Sequence, residues 1–425
     1  MESAEKKYER KPYVSEEIGR LIEREINSFL PIFYMKYKDK KIKNYNDAFF
    51  FATQLLNTYS DGFNEFAESM IENTLGGMIK ILENTEVYIP WMLEGYGQFV
   101  FAINTVFEKT GELSHLLRSL NDILMQCFYV RCKELYQKPV EYQTYDMTLG
   151  LSGVLYYFLQ QKQWVAKEVK DKICKLLEVL VSFSNEKLYK KKPSIGFHIL
   201  AEQQVGTQDE REMKNGHINF GMAHGMLGPL IVMTKARSLG YQIRGLDEAI
   251  QRIFHLYQVF CTEENGLLRY PKKLPIEDYW QRKCSNLSIN SGWCYGNAGV
   301  VRGLMKVTYY MGWKSEYSYY TQKLINIINQ DIREYNFKGN PVVCHGLCSI
   351  ISIQIAAYQE TKNESFLKTI NRNIQEVIKE YQKRSKQNEL DLGVLVGEGG
   401  IILTLIQCLT SRITYDRLLL IDKCE

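Results

Sequence analysis

Two short motifs, Trp293-Cys294-Tyr295-Gly296 and Cys344-His345-Gly346, stand fifty residues apart and together offer two thiols and one imidazole. Each of the three is followed by glycine within two positions. Thiolates and a neutral imidazole suit Zn²⁺, and three protein ligands rather than four leave one coordination position for water or substrate. That is the ligand count of a catalytic zinc, so Cys294, Cys344 and His345 are expected to hold Zn²⁺ and the chain to do chemistry. Cys348, four residues beyond Cys344, is a rival ligand, but a third thiolate would tend toward a closed, structural site. Most of the ten cysteines read instead as small buried hydrophobes. An open zinc position can take a substrate thiol and hold it as thiolate, the nucleophilic form.

The elements that must position these residues are helices. Ile18, Leu21, Ile22, Ile26, Phe29 and Leu30 recur at steps of three and four. Lys170 to Ser184 repeats that period, and so does Tyr319 to Ile332. A longer pattern overlies the first: Gly95-Tyr-Gly97, Gly150-Leu-Ser-Gly153, Gly225-Met-Leu-Gly228, Gly296-Asn-Ala-Gly299, Gly346 and Gly397-Glu-Gly-Gly400 each lead into an apolar run. Their spacing accommodates two helices and two loops, the mark of stacked helical hairpins. Glycine at each helix start allows close backbone approach, so inner helices can converge with their positive ends toward a common centre. The expected fold is all-α, a closed α/α toroid. It forms a single domain over residues 1–425, with the glycine repeats running from about Gly95 to Gly400. Periodicity alone does not separate a closed ring from an open solenoid. The stretch from Phe260 to Asn290, with Gly266, Pro271 and Pro275, reads as a long connection or a small insertion with room for short strands.

Composition excludes other classes. The chain has 425 residues, 45% hydrophobic and 24% charged, so it is an ordinary globular protein able to bury a sizeable core. A net charge of +4, with no basic run interleaved with aromatics, argues against nucleic acid. The basic run Lys187 to Lys192 reads as a solvated loop, or more sharply as a contact for an acidic peptide. Met1 to Lys7 opens no signal peptide, and no apolar segment reaches the length of a transmembrane span. Scattered cysteines without a secretory signal are reduced thiols or ligands, so a cytoplasmic protein is expected.

Asn219-Phe-Gly-Met-Ala-His224-Gly-Met-Leu-Gly228, Trp293-Cys-Tyr-Gly-Asn-Ala-Gly299 and Cys344-His-Gly-Leu resemble, in order, the signature blocks of the lanthionine synthetase C-like family, the lantibiotic cyclases. Asp146, four residues before Gly150, fits an earlier block of that family. The resemblance implies an α/α toroid with zinc at its centre and a substrate thiol that is a peptide cysteine. That thiol adds to dehydroalanine or dehydrobutyrine in the same peptide. Conjugate addition leaves an enolate that must be protonated, which calls for a general acid. His224, between small residues, is the candidate, its ordinary pKa lying near neutrality. Asp146 would orient His224 or help deprotonate the thiol; the plainer reading is a helix cap before Gly150. Tyr295 would hydrogen-bond the enolate or a ligand, packing being the plainer alternative. Some family members carry an arginine where this chain has Asn290, which supplies no positive charge. If a cation is needed, Arg282 or Arg302 would have to approach. His217 is expected in an approach loop, and His115, His198 and His255 in structural or surface roles.

The expected function is that of a stand-alone zinc-dependent peptide cyclase forming lanthionine or methyllanthionine rings. Its partners would be a dehydrated precursor peptide with its leader, plus a separate dehydratase and a transporter in a modification complex. Any membrane association would come through that complex. Two alternatives stay open: addition of glutathione or another thiol to dehydrated proteins, and a non-catalytic peptide-binding scaffold in which zinc only holds helices together.

Overall fold

The computed structural model describes residues 13–58, 61–84, 88–130, 132–135, 138–161, 167–204, 213–337, 339–384 and 389–425. The segment Met1 to Lys7 and the side chain of Cys132 lie outside the described residues. Among them, fourteen helices of ten residues or more alternate between two concentric layers. Numbered in chain order, the outer layer holds α1 (Glu16–Lys38), α3 (Asp61–Glu83), α5 (Ser114–Tyr129), α7 (Lys167–Ser184), α9 (Leu246–Val259), α11 (Lys314–Ile328) and α13 (Ile370–Arg384). The inner layer holds α2 (Tyr45–Leu55), α4 (Tyr96–Thr110), α6 (Leu151–Gln160), α8 (Leu227–Ser238), α10 (Asn297–Met311), α12 (Leu347–Thr361) and α14 (Glu398–Gln407).

The two layers follow from the sequence of each helix. Outer helix α1 buries Ile18, Ile22, Ile26, Phe29 and Phe33, one stripe at steps of three and four, and leaves its other face to solvent. Inner helix α6 is buried at every position from Leu151 to Leu159, and α12 from Leu347 to Ala357, because each is covered on all sides. Neighbouring inner helices pack in sequence order, α2 on α4 through Phe49 and Phe99 (centroids 5.3 Å apart) and α4 on α6 through Phe101 and Tyr157 (6.2 Å). Helix α14 returns to α2, so the ring is closed. The outer partner of α14 is the N-terminal α1, which packs on α13 and α14. The Tyr13 N–H donates to the Cys408 carbonyl at 3.0 Å, and Ser15 N–H to Asn371 Oδ1 at 3.2 Å.

At one end of the ring, the loops preceding the inner helices are joined backbone to backbone. Met92 N–H donates to Thr148 O (3.1 Å), Met147 N–H to Ala223 O (3.4 Å), and Met222 N–H to Cys294 O (2.8 Å). Cys294 N–H then donates to Cys344 O (3.1 Å) and Cys344 N–H to Leu395 O (2.8 Å). The Ile42–Leu390 bridge extends the circuit to the loop before α2. The glycine repeats serve these loops. A Cβ on Gly296 would overlap the backbone of Gly292, and one on Gly299 would overlap the Trp293 carbonyl oxygen. The close approach is therefore between each loop and the first turn of its own helix, rather than between converging helices.

Short strands come from two separate segments. The hairpin β1 (Glu186–Tyr189)–β2 (Lys192–Ile195) turns at Lys190 and Lys191, both at positive φ. The basic run is thus an ordered hairpin tip rather than a loop. Strands β3 (His198–Ile199), β4 (His217–Asn219) and β7 (Lys273–Pro275) form an antiparallel sheet, while β5 (Thr262–Glu264) pairs with β6 (Leu267–Arg269) around Asn265-Gly266. The expected insertion at 260–290 is one half of this structure, and 186–219 supplies the other.

Residues 418–424 pack against the inner helices, reaching from Trp293 beside the first motif to Tyr156 and Lys306. Lys306 on α10 pairs with Asp422 (2.7 Å) and Arg302 with Glu360 (2.8 Å), both cations fully buried. Burial would raise the Glu360 carboxyl, but the Arg302 charge and its hydrogen bond outweigh it and hold the group at about 2. A depressed carboxylate stabilises the fold above its unfolded pKa of about 4.3 and loses that contribution as pH falls toward its folded value. Glu360→Gln is expected to reduce stability by about 3 kcal/mol at neutral pH, since it leaves Arg302 buried and uncompensated. In urea titrations the gap from wild type should narrow between about pH 4 and pH 2.

Candidate active site

The loop circuit carries the chemistry. The residue immediately before the helix-leading glycine is Leu149, His224, Tyr295 and His345 in four consecutive repeats, and each of these is at least partly exposed. One position earlier stand Thr148, Ala223, Cys294 and Cys344, whose backbones make the circuit. The partly exposed residue of each repeat is thereby presented at one mouth, although Asp146 and His345 are 199 positions apart in the chain.

Cys294, Cys344 and His345 meet there, with their candidate ligand atoms all within 4.8 Å of one another. Tetrahedral zinc at its usual bond lengths holds such atoms about 3.5–3.8 Å apart, so small side-chain movements suffice. Trp293, fully buried, anchors the first motif by donating its indole N–H to Leu419 O at 2.9 Å. The two thiols are close enough to share a proton. A hydrogen bond from Cys344 holds Cys294 well below the usual thiol range, at about 5, against burial and with help from His345. The same bond and burial push Cys344 up, and His345 is raised by its bond to Cys294. Two thiolates this close repel unless a cation lies between them, which is the donor set a divalent metal satisfies. Cys348 lies outside the cluster, buried in the first turn of α12 among apolar neighbours that push its thiol up to about 12.

His224 Nδ1 lies 2.6 Å from Asp146 Oδ2. Asp146 is fully buried, and its other oxygen accepts from the backbone N–H groups of Thr148 (3.0 Å), Leu149 (2.6 Å) and Gly150 (2.9 Å). One carboxylate thus does both jobs that the sequence offered as alternatives: Oδ1 caps the turn into α6 while Oδ2 holds the imidazole. With Nδ1 engaged, His224 Nε2 is the ring nitrogen left for the mouth, and the side chain is 31% exposed. The Tyr295 ring lies 6.1 Å from that of His224, and burial raises its phenol, so it stays protonated at neutral pH.

Other expectations are corrected. Asn290 Oδ1 accepts the Gly292 N–H at 2.6 Å, which makes it a turn-former for the loop that carries Cys294. Arg302 does not approach, being locked to Glu360, Ile421 O and Asp422 O. Arg282 terminates the turn Ile276–Gln281 on the surface. The arginine whose charge is felt at His345 is Arg384, in the last turn of α13, and nothing in its local sequence pointed to it. His217 is a buried residue of β4 rather than part of a loop; His198 in β3 is structural, as expected.

The model of the family described as lanthionine synthetase C-like protein matches residues 51–420. The nisin biosynthesis protein NisC of Lactococcus lactis subsp. lactis is 24% identical over 363 residues, 84% of this chain and 83% of that protein. A solved structure of nisin cyclase shares the fold with a TM-score of 0.78 at 19% identity, covering 96% of this chain and 98% of the other. With the closed double ring and the three signature blocks at one mouth, the family match covers the elements that build the site, and the chain belongs to the lanthionine synthetase C-like protein family.

Proposed function

We propose that this protein is a zinc-dependent peptide cyclase. It adds cysteine thiols to dehydroalanine or dehydrobutyrine residues of a lantibiotic precursor and so forms (methyl)lanthionine rings. The observation that carries the reading is the meeting of Cys294, Cys344 and His345 beside the His224–Asp146 pair at one mouth of the ring. Cys294, Cys344 and His345 would hold zinc, which would supply the positive charge that keeps an incoming thiol ionised at neutral pH. His224, steadied by Asp146, accepts the thiol proton at Nε2 and returns a proton to Cα as sulfur bonds to Cβ. Tyr295 donates its hydroxyl to the oxygen that becomes an enolate, a charge formed where the phenol is preorganised. Atoms balance: one S–H and one C=C are exchanged for one C–S and one C–H bond, with no change in mass or oxidation state.

The partners proposed are a dehydrated precursor peptide with its leader and a separate dehydratase, together with a transporter in a modification complex. The site is proposed to work in the cytoplasm; no described helix is long and apolar enough to cross a membrane. The purified zinc-loaded protein, mixed with a dehydrated precursor in the presence and absence of glutathione, is expected to consume the peptide's free thiol without a change in mass. A glutathione adduct would favour addition between molecules, and no reaction at all would favour a peptide-binding scaffold.

A further inference from the structure

The hairpin β1–β2 carries four lysines, Lys187, Lys190, Lys191 and Lys192, against one acid, Glu186. All four are exposed, and no carboxylate among the described residues pairs with any of them. Three touch neutral groups instead. The Lys187 ammonium lies 6.0 Å from the Phe183 ring, Lys192 lies 4.6 Å from that of Trp280, and Lys190 donates to Asn215 Oδ1. Positive charge is thus concentrated on one projecting element without internal compensation. The arm is fixed at its base, where Gly196 N–H donates to Asn185 O at 2.9 Å. Arg252 on α9 donates there too, to Ser184 O (2.9 Å) and Asn185 Oδ1 (3.2 Å).

A two-stranded sheet has two outer edges, and here they differ. On β2, Pro193 has no N–H to offer, and its carbonyl already accepts the Trp280 indole N–H at 2.9 Å. Strand β1 pairs with β2 alone among the described residues, so its outward backbone groups are open to a further strand. Leu188 stands opposite Pro193 on one face of the hairpin and is 79% exposed. Lys187 is on the other face, with the cross-strand pair Tyr189 and Lys192. An extended peptide laid along β1 would gain main-chain hydrogen bonds. Its side chains would meet Leu188 and the lysine face in alternation, which suits a segment of alternating apolar and acidic residues. A lipid surface could meet the charges, but only another strand satisfies the backbone.

The arm is also planted close to the chemistry. Phe197, two residues beyond β2, packs its ring 5.1 Å from that of Tyr145, and Tyr145 donates its hydroxyl to the His224 carbonyl at 3.0 Å. Two side chains therefore separate the root of the hairpin from the candidate acid. We propose that the hairpin is a docking arm for an acidic, extended segment of the substrate polypeptide, which adds to β1 as a third strand while another part of the same chain reacts at the mouth. Tethering of this kind raises the concentration of the reacting cysteine and dehydro residue at the site without any new contact there. That the docked chain is a cyclisation substrate rests on the cyclase reading above.

The test separates charge, strand pairing and turnover. A labelled short peptide alternating glutamate and valine is titrated with the full-length protein by fluorescence anisotropy, beside a glutamine–valine peptide and a glutamate–valine peptide N-methylated on its valines. Wild type is expected to bind the glutamate peptide roughly tenfold or more tightly than the glutamine one, a preference that fades as salt is raised. N-methylation, which removes strand hydrogen bonds and keeps the charge, should weaken binding by about tenfold. Changing Lys187, Lys190, Lys191 and Lys192 together to Gln should abolish the preference with the melting temperature unaltered, since all four are exposed. Equal binding of the N-methylated peptide would overturn strand addition, and a preference kept by the quadruple variant would overturn the arm as the site. Flotation with phosphatidylglycerol vesicles that excess glutamate peptide does not reduce would overturn it in favour of a lipid surface. In turnover, a dehydrated peptide carrying the acidic segment should have a roughly tenfold higher kcat/KM than its glutamine counterpart in wild type, and no advantage in the quadruple variant. A wild type that binds the acidic peptide but cyclises neither substrate would overturn the cyclase reading and leave the docking arm standing.

Discussion

Cys294→Ala should emerge from purification with less than about a tenth of the zinc held by wild type, near one per chain, and with no measurable ring formation. Three donors define the proposed site, and losing one leaves a thiol and an imidazole, too few to hold the ion against water. The loop itself should survive, because its position depends on Trp293 bound to Leu419 O and on the Cys294 backbone bonds to Cys344 and Met222. Melting temperature measured beside the zinc content separates loss of metal from loss of fold. Cys348→Ala is the matched control: its thiol is buried in α12 away from the cluster, so zinc should stay while some packing stability is lost. Full zinc occupancy in Cys294→Ala would remove that residue from the ligand set.

His224→Ala should separate metal from chemistry in the opposite way. Zinc content is expected to match wild type, while ring formation slows by about 10²–10⁴-fold, the usual contribution of a positioned acid–base group. The variant is cleaner than one at Asp146, because Asp146 also caps the turn into α6, and its loss would disturb the Thr148 loop. Rates are best followed by thiol titration under single-turnover conditions, so that peptide release does not mask the step. Rates equal to wild type would show that His224 is not the essential proton carrier. Reduced rates together with reduced zinc would instead point to a structural role.

The helical class was readable because outer helices such as α1 and α13 bury one stripe, which leaves a period in the sequence. The inner helices left a different mark: nearly unbroken apolar runs after paired glycines, as in α6 and α12. Short strands were anticipated only in the stretch 260–290; those before it were not readable, since elements of two to four residues such as β3 and β4 are too short to show alternation. His217 was misplaced for that reason. The role of Arg384 was equally hidden, since its charge reaches His345 only because α13 packs on α12, bringing them together across the fold.

The candidate ligands, and the family they resemble, were set by a few side chains at fixed distances from glycine. Residue chemistry and loop spacing are local properties, so Cys294, Cys344, His345, His224 and Asp146 could be named from the chain alone. Ring closure and the backbone circuit that brings these residues from four loops to one mouth were decided only by the tertiary structure. Each depends on contacts between residues tens to hundreds of positions apart: α1 against α14, Met222 against Cys294. No local pattern encodes such contacts, because they arise only when the buried faces of distant helices are packed together.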